Sequence, residues 1–335
     1  MIRLVRVLAT ILILGFSGQT ATNQVATVVQ LDEKSIAEAT AGLSQYENVP
    51  GLSGKMVSVG SGTGTTMVNH WAVEFCQLYP EVELDIHGGG ATTNVFADFI
   101  AGKVDILPMS RPIPTNLMAD FKTRYGYAPT EVIVGPDALG FYVNKNNPVT
   151  GLSLEQLETI YSRSAPVGKI DFWGDVGVTG PLAHTPISRY CLSKRHGAHT
   201  LFRETVLKGA EYKFAVRFES IHSSLVQAVG ADDAGIAFDS VMFATARTRF
   251  VAIQAVDGRY LIPNYANVIN GTYPLIRPIR IVFNKKPDTA LKPVVREFLR
   301  FAVSRRGQRI NAMGGGYPIT AEQQQQALKV LGDGR

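Results

Sequence analysis

Met56-Val57-Ser58-Val59 runs into Gly60-Ser61-Gly62-Thr63-Gly64-Thr65-Thr66, and the pattern is repeated at once by Val82 to His87 followed by Gly88-Gly89-Gly90-Ala91-Thr92-Thr93. Each time an apolar strand meets a turn of glycine and hydroxyl residues that opens an amphipathic helix. A third strand, Val104 to Met109, ends on Ser110-Arg111. Strand ends therefore deliver hydroxyls, bare backbone and one guanidinium to a common region, with helix N-termini behind two of them. Exposed backbone N–H groups at a helix start, aided by hydroxyls and the helix dipole, suit a small oxyanion.

On the N-terminal side of this stretch, Arg3 and Arg6 precede an apolar segment from Val7 to Phe16 and small polar residues from Ser17 to Thr22. That order is expected of a secretory signal peptide cleaved near Ala21, and the apolar segment is too short to span a bilayer. Residues 22–54 read as a polar leader with one helix, Glu33 to Tyr46, stopped by Pro50-Gly51. An exported chain of 335 residues, 45% hydrophobic and 18% charged, has room for two domains with full cores. The formal charge of +5, or +3 without Arg3 and Arg6, is too small to imply nucleic acid and mildly favours an anionic ligand. Cys76 and Cys191 could pair in an oxidising compartment, but their placement in different domains makes separate thiols the expectation. Neither joins a metal-ligand spacing.

Towards the C-terminus, Met67, Trp71, Phe75 and Leu78 form one apolar helix stripe, and Val82, Leu84 and Ile86 alternate with acids as a half-covered strand. A helix is expected over Thr115 to Tyr125, then strands Glu131 to Val134 and Leu139 to Asn144, a bent pair suited to crossing between domains. Ser153 should cap a helix over Leu154 to Tyr161, opening the second domain. There the pattern gives strands Pro186 to Cys191, Val216 to Glu219 and Gly235 to Phe238, with helices Thr200 to Val206 and Ser223 to Val229. A strand over Pro278 to Asn284 and helices Val294 to Val303 and Ala321 to Leu331 complete the chain. Strands alternating with helices argue an α/β fold with largely parallel sheets and ligand sites at carboxyl strand ends.

The chemistry of catalysis has no anchor here. Gly60 to Thr66 lacks the lysine and glycine spacing of a P-loop. No Gly-x-Ser-x-Gly elbow surrounds any serine, and the six histidines form no HExxH pair. No enzyme activity, cofactor or metal is expected.

In order along the chain, Gly60-Ser61-Gly62-Thr63 ahead of Trp71, Phe75 to Pro80, Gly88-Gly89-Gly90, and Gly102-Lys103-Val104-Asp105-Ile106 before Ser110-Arg111 resemble the PstS-like phosphate-binding proteins of the phosphate ABC transporter. Val143 to Pro148, Trp173, Gly235-Ile236, Gly271 to Leu275, and Phe298 through Gly307-Gln308 to Gly316-Tyr317-Pro318 extend the resemblance over roughly residues 55–320. It implies a type 2 periplasmic binding-protein fold: two lobes, each a mixed sheet flanked by helices, with the ligand cleft between them. Lobe 1 would comprise residues 55–142 and 265–335, and lobe 2 residues 143–264. The implied function is an exported, periplasmic or secreted, monomeric protein that captures inorganic phosphate or a related oxyanion by hinge closure for an ABC permease, without chemistry.

Carried over by position, the resemblance implies ligand contacts at Ser61, Gly62 and Thr63, at Gly90 and Thr92, and at Ser110 with Arg111 beside it. It also implies a second-lobe contribution near Arg189 and His196 to Ala198. Asp137 is the preferred acceptor for a phosphate proton, since Asp105 matches a family position that ties down a strand end. Two departures stand out. Ala91 occupies a position where the family has serine, and His196-Gly197-Ala198 fills the slot of a Ser-Gly-Thr motif. They motivate an alternative, an exported interaction or sensory protein that keeps the fold with a degenerate site.

Overall fold

Mixed sheets at either end of the molecule, joined by a pair of crossing strands, set the position of everything else. The computed structural model describes residues 30–88, 93–164 and 168–332. The expected signal peptide, and Gly90 and Thr92 of the second loop, lie outside the described residues.

The chain begins with α1 (Glu33–Thr40), β1 (Gly54–Gly60), α2 (Gly62–Leu78), β2 (Val82–Gly88), α3 (Thr93–Ile100), β3 (Ile106–Met109), α4 (Thr115–Tyr125) and β4 (Thr130–Gly135). It crosses into β5 (Leu139–Asn144), β6 (Gly151–Leu152), α5 (Leu154–Tyr161), β7 (Ser188–Leu192), α6 (Gly197–Thr205), β8 (Arg217–Glu219), α7 (His222–Gly230) and β9 (Gly235–Ser240). Short strands β10 (Thr248–Phe250), β11 (Ala252–Gln254) and β12 (Tyr260–Leu261) and helix α8 (Tyr265–Ile269) precede the return through β13 (Ile279–Phe283), α9 (Pro293–Val303), α10 (Arg305–Met313) and α11 (Ala321–Leu331).

The first sheet has the order β2-β1-β3-β13-β4 and the second β10-β5-β9-β7-β8, with β12-β11-β6 as a small third sheet. In the first, β1 runs parallel to β2 and β3, while β13 is antiparallel to β3 and β4. In the second, β7 runs parallel to β8 and β9, and β5 is antiparallel to β9 and β10. The sheets are thus mixed, where strand–helix alternation alone suggested largely parallel ones. The strands beside each crossing, β5 and β13, enter a sheet from the opposite lobe and so run against it.

Local sequence accounts for the element ends. Ser61 caps α2, and Ser153 with Gln156 and Thr320 with Gln323 form capping boxes at α5 and α11. Lobe 1 closes over Trp71, Phe75, Phe298 and Phe301, with Phe75 edge-on to Phe298 at 5.2 Å. Lobe 2 closes over Phe141, Tyr161, Phe202 and Phe238, the last two 4.1 Å apart.

Residues 139–143 of β5 pair with β9, from Leu139 opposite Ser240 to Val143 opposite Ile236, so the chain passes from the first sheet to the second between Gly135 and Leu139. Within the segment read as a leader, the described residues 30–54 pack onto lobe 1. Ile36, Leu43 and Leu52 are buried, Ser44 N donates to Gln324 Oε1 at 2.8 Å, and Ser44 O accepts from Arg305 N at 2.8 Å.

Outgoing and returning crossings touch. Ala138 bridges to Ile276, and Arg277 N donates to Asp137 O at 2.7 Å. Cys76, half-buried on α2, and Cys191, buried in β7, are unpaired thiols in different lobes.

Candidate functional site

The first jaw forms where β1 turns into α2. Ser61 Oγ accepts from Gly64 N at 3.3 Å, and Ser61 N donates to Pro108 O at 2.8 Å, which fixes the helix start to β3. Ser110 follows directly on β3. Ser61, Thr63 and Ser110 are all buried.

Two helices of the second lobe begin against this jaw. Neither α6 nor α7 has a side-chain cap, their N-cap residues being His196 and Ile221. A Cβ on Gly197, the first residue of α6, would lie 2.4 Å from Ser110 Oγ. A Cβ on Gly62, the first residue of α2, would lie 2.4 Å from the Nε2 of His222, the first residue of α7. Glycine at both positions permits this approach without displacing Ser110 Oγ or the His222 ring. Helix starts from both lobes therefore meet, and their partial positive charges and backbone donors share a site for negative charge.

Behind the jaw lies a buried ionic network that spans both lobes and the crossing strands. Arg277, 3% exposed, places Nε 2.9 Å from Asp137 Oδ2 and a terminal nitrogen 3.9 Å from Asp239 Oδ1. The same nitrogen donates to Thr63 Oγ1 at 3.5 Å. Asp137 Oδ1 accepts from Ser240 Oγ at 2.8 Å. Burial pushes the Asp137 carboxyl above its ordinary range, against the opposing pull of Arg277 and Ser240. Asp239 accepts from Ser240 N at 2.7 Å and holds His222 Nδ1 at 2.6 Å. The His222 ring stacks on Phe243, centroids 4.1 Å apart, and meets the edge of His196 at 4.9 Å. Burial and the neighbouring His222 pull the His196 imidazole below its ordinary range.

Of the residues expected from sequence, Ser61, Gly62, Thr63 and Ser110 are brought together, and Arg111 stands beside Ser110. Asp137 is adjacent through Arg277, but Ser240 and Arg277 already engage its oxygens. Arg189 is elsewhere: its Nε donates to Ile160 O at 2.6 Å, and its terminal nitrogens to Ile187 O, Ile170 O and Asp171 Oδ1 at 3.2, 2.8 and 2.7 Å. Its place in β7 turns the side chain into the interior of lobe 2, where four acceptors satisfy it. Asp105 does tie down a strand end, accepting from Val57 N at 2.8 Å and pairing with Lys292 Nζ at 3.1 Å.

Arg277, Asp239 and His222 were not singled out by sequence reading. The usable signal was a charge inside an apolar run, Ile276-Arg277-Pro278-Ile279 and Ala237-Phe238-Asp239, since a buried charge requires a partner. An Asp–His pair beside serines also invites a hydrolase reading. His222 Nε2, however, is buried with no hydrogen-bond partner among the described residues, so no serine is linked to it as a nucleophile.

A PBP superfamily domain model matches residues 37–306. The phosphate-binding protein PstS of Pseudomonas aeruginosa PAO1 is 32% identical over 302 residues, covering 89% of this chain and 93% of that protein. Protein SphX of Synechococcus elongatus is 27% identical over 283 residues, covering 83% of this chain and 82% of its own length. Among solved structures, a possible phosphate binding protein from Planctomyces limnophilus superposes with a TM-score of 0.63 at 25% identity, over 84% of this chain and 99% of that one. A putative phosphate ABC transporter substrate-binding protein with bound phosphate, from Clostridium perfringens, shares the fold with a TM-score of 0.64 at 23% identity, over 80% of this chain and 100% of that one. Domain match, full-length relatives and shared two-lobed architecture together place the chain in the PBP superfamily, as a member of its PstS-like family of phosphate-binding proteins.

Proposed function

We propose that the protein is an exported solute-binding protein that captures inorganic phosphate, or a closely related oxyanion, between its lobes and passes it to an ABC permease without chemical change. The observation that carries this reading is the meeting of α2 and Ser110 with the starts of α6 and α7 around buried hydroxyls, with the Arg277 guanidinium behind them. A buried dianion needs several donors, because each charge-assisted hydrogen bond contributes about 1.5–3 kcal/mol while an unpaired buried charge is unfavourable. The relatives' names support phosphate in particular.

In this reading Ser61, Gly62, Thr63 and Ser110 hold the anion from lobe 1, with Gly90, Thr92 and Arg111 completing that side. Arg277 is the guanidinium of the site, in the role expected of Arg189, and Asp137 orients it. Opening and closing occur at the paired crossings around Asp137 and Arg277.

Thermal unfolding of the purified chain in phosphate, arsenate, sulfate, molybdate and small carboxylates tests the assignment. A selective ligand at a thousandfold excess over Kd adds about 4 kcal/mol of apparent stability. A midpoint unmoved by every oxyanion would overturn the reading.

A second reading, an interaction or sensory protein, draws on a face of lobe 2 where Phe214, Phe218 and Ile221 are exposed and the Arg163 guanidinium lies 3.7 Å over the Phe214 ring. Apolar exposure of this kind marks contact surfaces. Ser110→Trp separates the readings: solute capture disappears, whereas binding to a partner through this outer face survives.

A further inference from the structure

Resting on the reading of the cleft as an oxyanion site, we propose that His222 is its second-lobe ligand, with Nε2 hydrogen-bonded to an oxygen of the bound anion. No positional rule of the sequence points to His222. The structure does so through the fixing of one ring nitrogen, the freedom of the other, and what that free nitrogen faces.

A carboxylate can only accept, so the Asp239 contact of 2.6 Å makes Nδ1 the donor and fixes the ring. Phe243, stacked at 16° to the imidazole, holds its plane. Nε2 is thereby directed at the start of α2, against Gly62, where it is buried without a protein partner. A buried polar atom without a partner is an exception that requires a reason. Here a ligand oxygen seated on the first N–H groups of α2 supplies one.

Asp239 holds the ring from lobe 2, Arg277 reaches the same carboxylate from the crossing, and His196 meets the ring edge. Nε2 on one lobe and the first N–H groups of α2 on the other then grip the same ligand oxygen, so the contact couples capture to closure.

Calorimetric titration of inorganic phosphate tests the contact. His222→Gln should bind at least tenfold more weakly than the wild type, equivalent to about 1.4 kcal/mol, while His184→Gln, the control, should keep the wild-type affinity. An affinity that does not fall in His222→Gln, or that falls equally in His184→Gln, overturns the proposal. Circular dichroism establishes that each variant is folded. Should His222→Gln unfold, the Nε2 nitrogen resonance of His222 in the wild type decides: it must shift on adding phosphate, and an unmoved resonance refutes the role. A wild type that binds no phosphate at all overturns the oxyanion reading itself, a result distinct from intact binding that ignores His222.

Discussion

Arg277 carries more of the site than its position in an apolar strand suggests. It stands between two buried carboxylates and reaches Thr63 in the first jaw. Arg277→Met leaves Asp137 and Asp239 without their cation, so stability should fall by about 3–5 kcal/mol in denaturant unfolding, and phosphate binding should be lost in the fraction that folds. Arg189→Met should also be destabilising, since the buried carbonyls of Ile160 and Ile187 lose this donor, while Asp171 and Ile170 O keep Lys213 at 3.2 Å. The affinity of its folded fraction should remain, because Arg189 belongs to the lobe 2 interior; direct titration of the folded variant checks this. Gly197→Ala is the opposite case. Its methyl group meets Ser110 Oγ only when the lobes are together, so unfolding should change little while closure suffers a clash of about 1–3 kcal/mol, read as roughly a ten- to hundredfold rise in Kd.

Helix starts were the most legible elements, and helices of polar composition the least. Ser61, Ser153 and Thr320 each cap where hydroxyl-before-stripe patterns place them. By contrast α10 begins Arg305-Arg306-Gly307-Gln308, with little apolar periodicity, and is held by contacts that no local pattern announces. One of them is Trp71 Nε1 donating to Gly307 O at 2.8 Å, across 236 positions of sequence. The start of α6 was read three residues late because His196-Gly197-Ala198 offers no capping side chain, and that bare start is what meets Ser110. The first jaw was legible for the converse reason: its serines and glycines do local work as cap and turn. The network of Arg277, Asp239 and His222 was hidden because its members come from three separate elements, α7, β9 and the returning crossing, and meet only in the tertiary fold.

The α6 segment also carries a testable pH response. His199 packs against Tyr212, centroids 4.7 Å apart, and burial pulls its imidazole down from 6.5 to about 4. Between those values the unfolded chain binds a proton that the folded chain does not, so stability is complete above about pH 6.5 and declines as pH falls towards 4. The ring is partly exposed, which reduces the loss to about 1 kcal/mol. Denaturant midpoints of His199→Gln measured across this range should fall less steeply than those of the wild type.

At the level of the assembled lobes, the two crossing segments are bonded to each other at Asp137, Ala138, Ile276 and Arg277, and the ionic network fans out from that point to both jaws. On the proposed reading, a hinge at this point would transmit ligand contacts to closure without unfolding either sheet. Small-angle scattering should show phosphate reducing the radius of gyration of the wild type, with Gly197→Ala responding weakly or not at all at the same phosphate concentration. The two-lobed design was readable from the order of motifs along the chain. The passage between sheets was less so, because β5 is buried throughout and its pairing with β9 emerges only in the tertiary fold.

Equilibrium dialysis of radiolabelled inorganic phosphate against the purified chain tests whether the meeting jaws form an oxyanion site. The geometry predicts saturable binding at one site per chain, displaced by unlabelled phosphate and abolished in Ser110→Trp. Absence of saturable binding by chain shown to be folded, or binding that Ser110→Trp leaves intact, would contradict it.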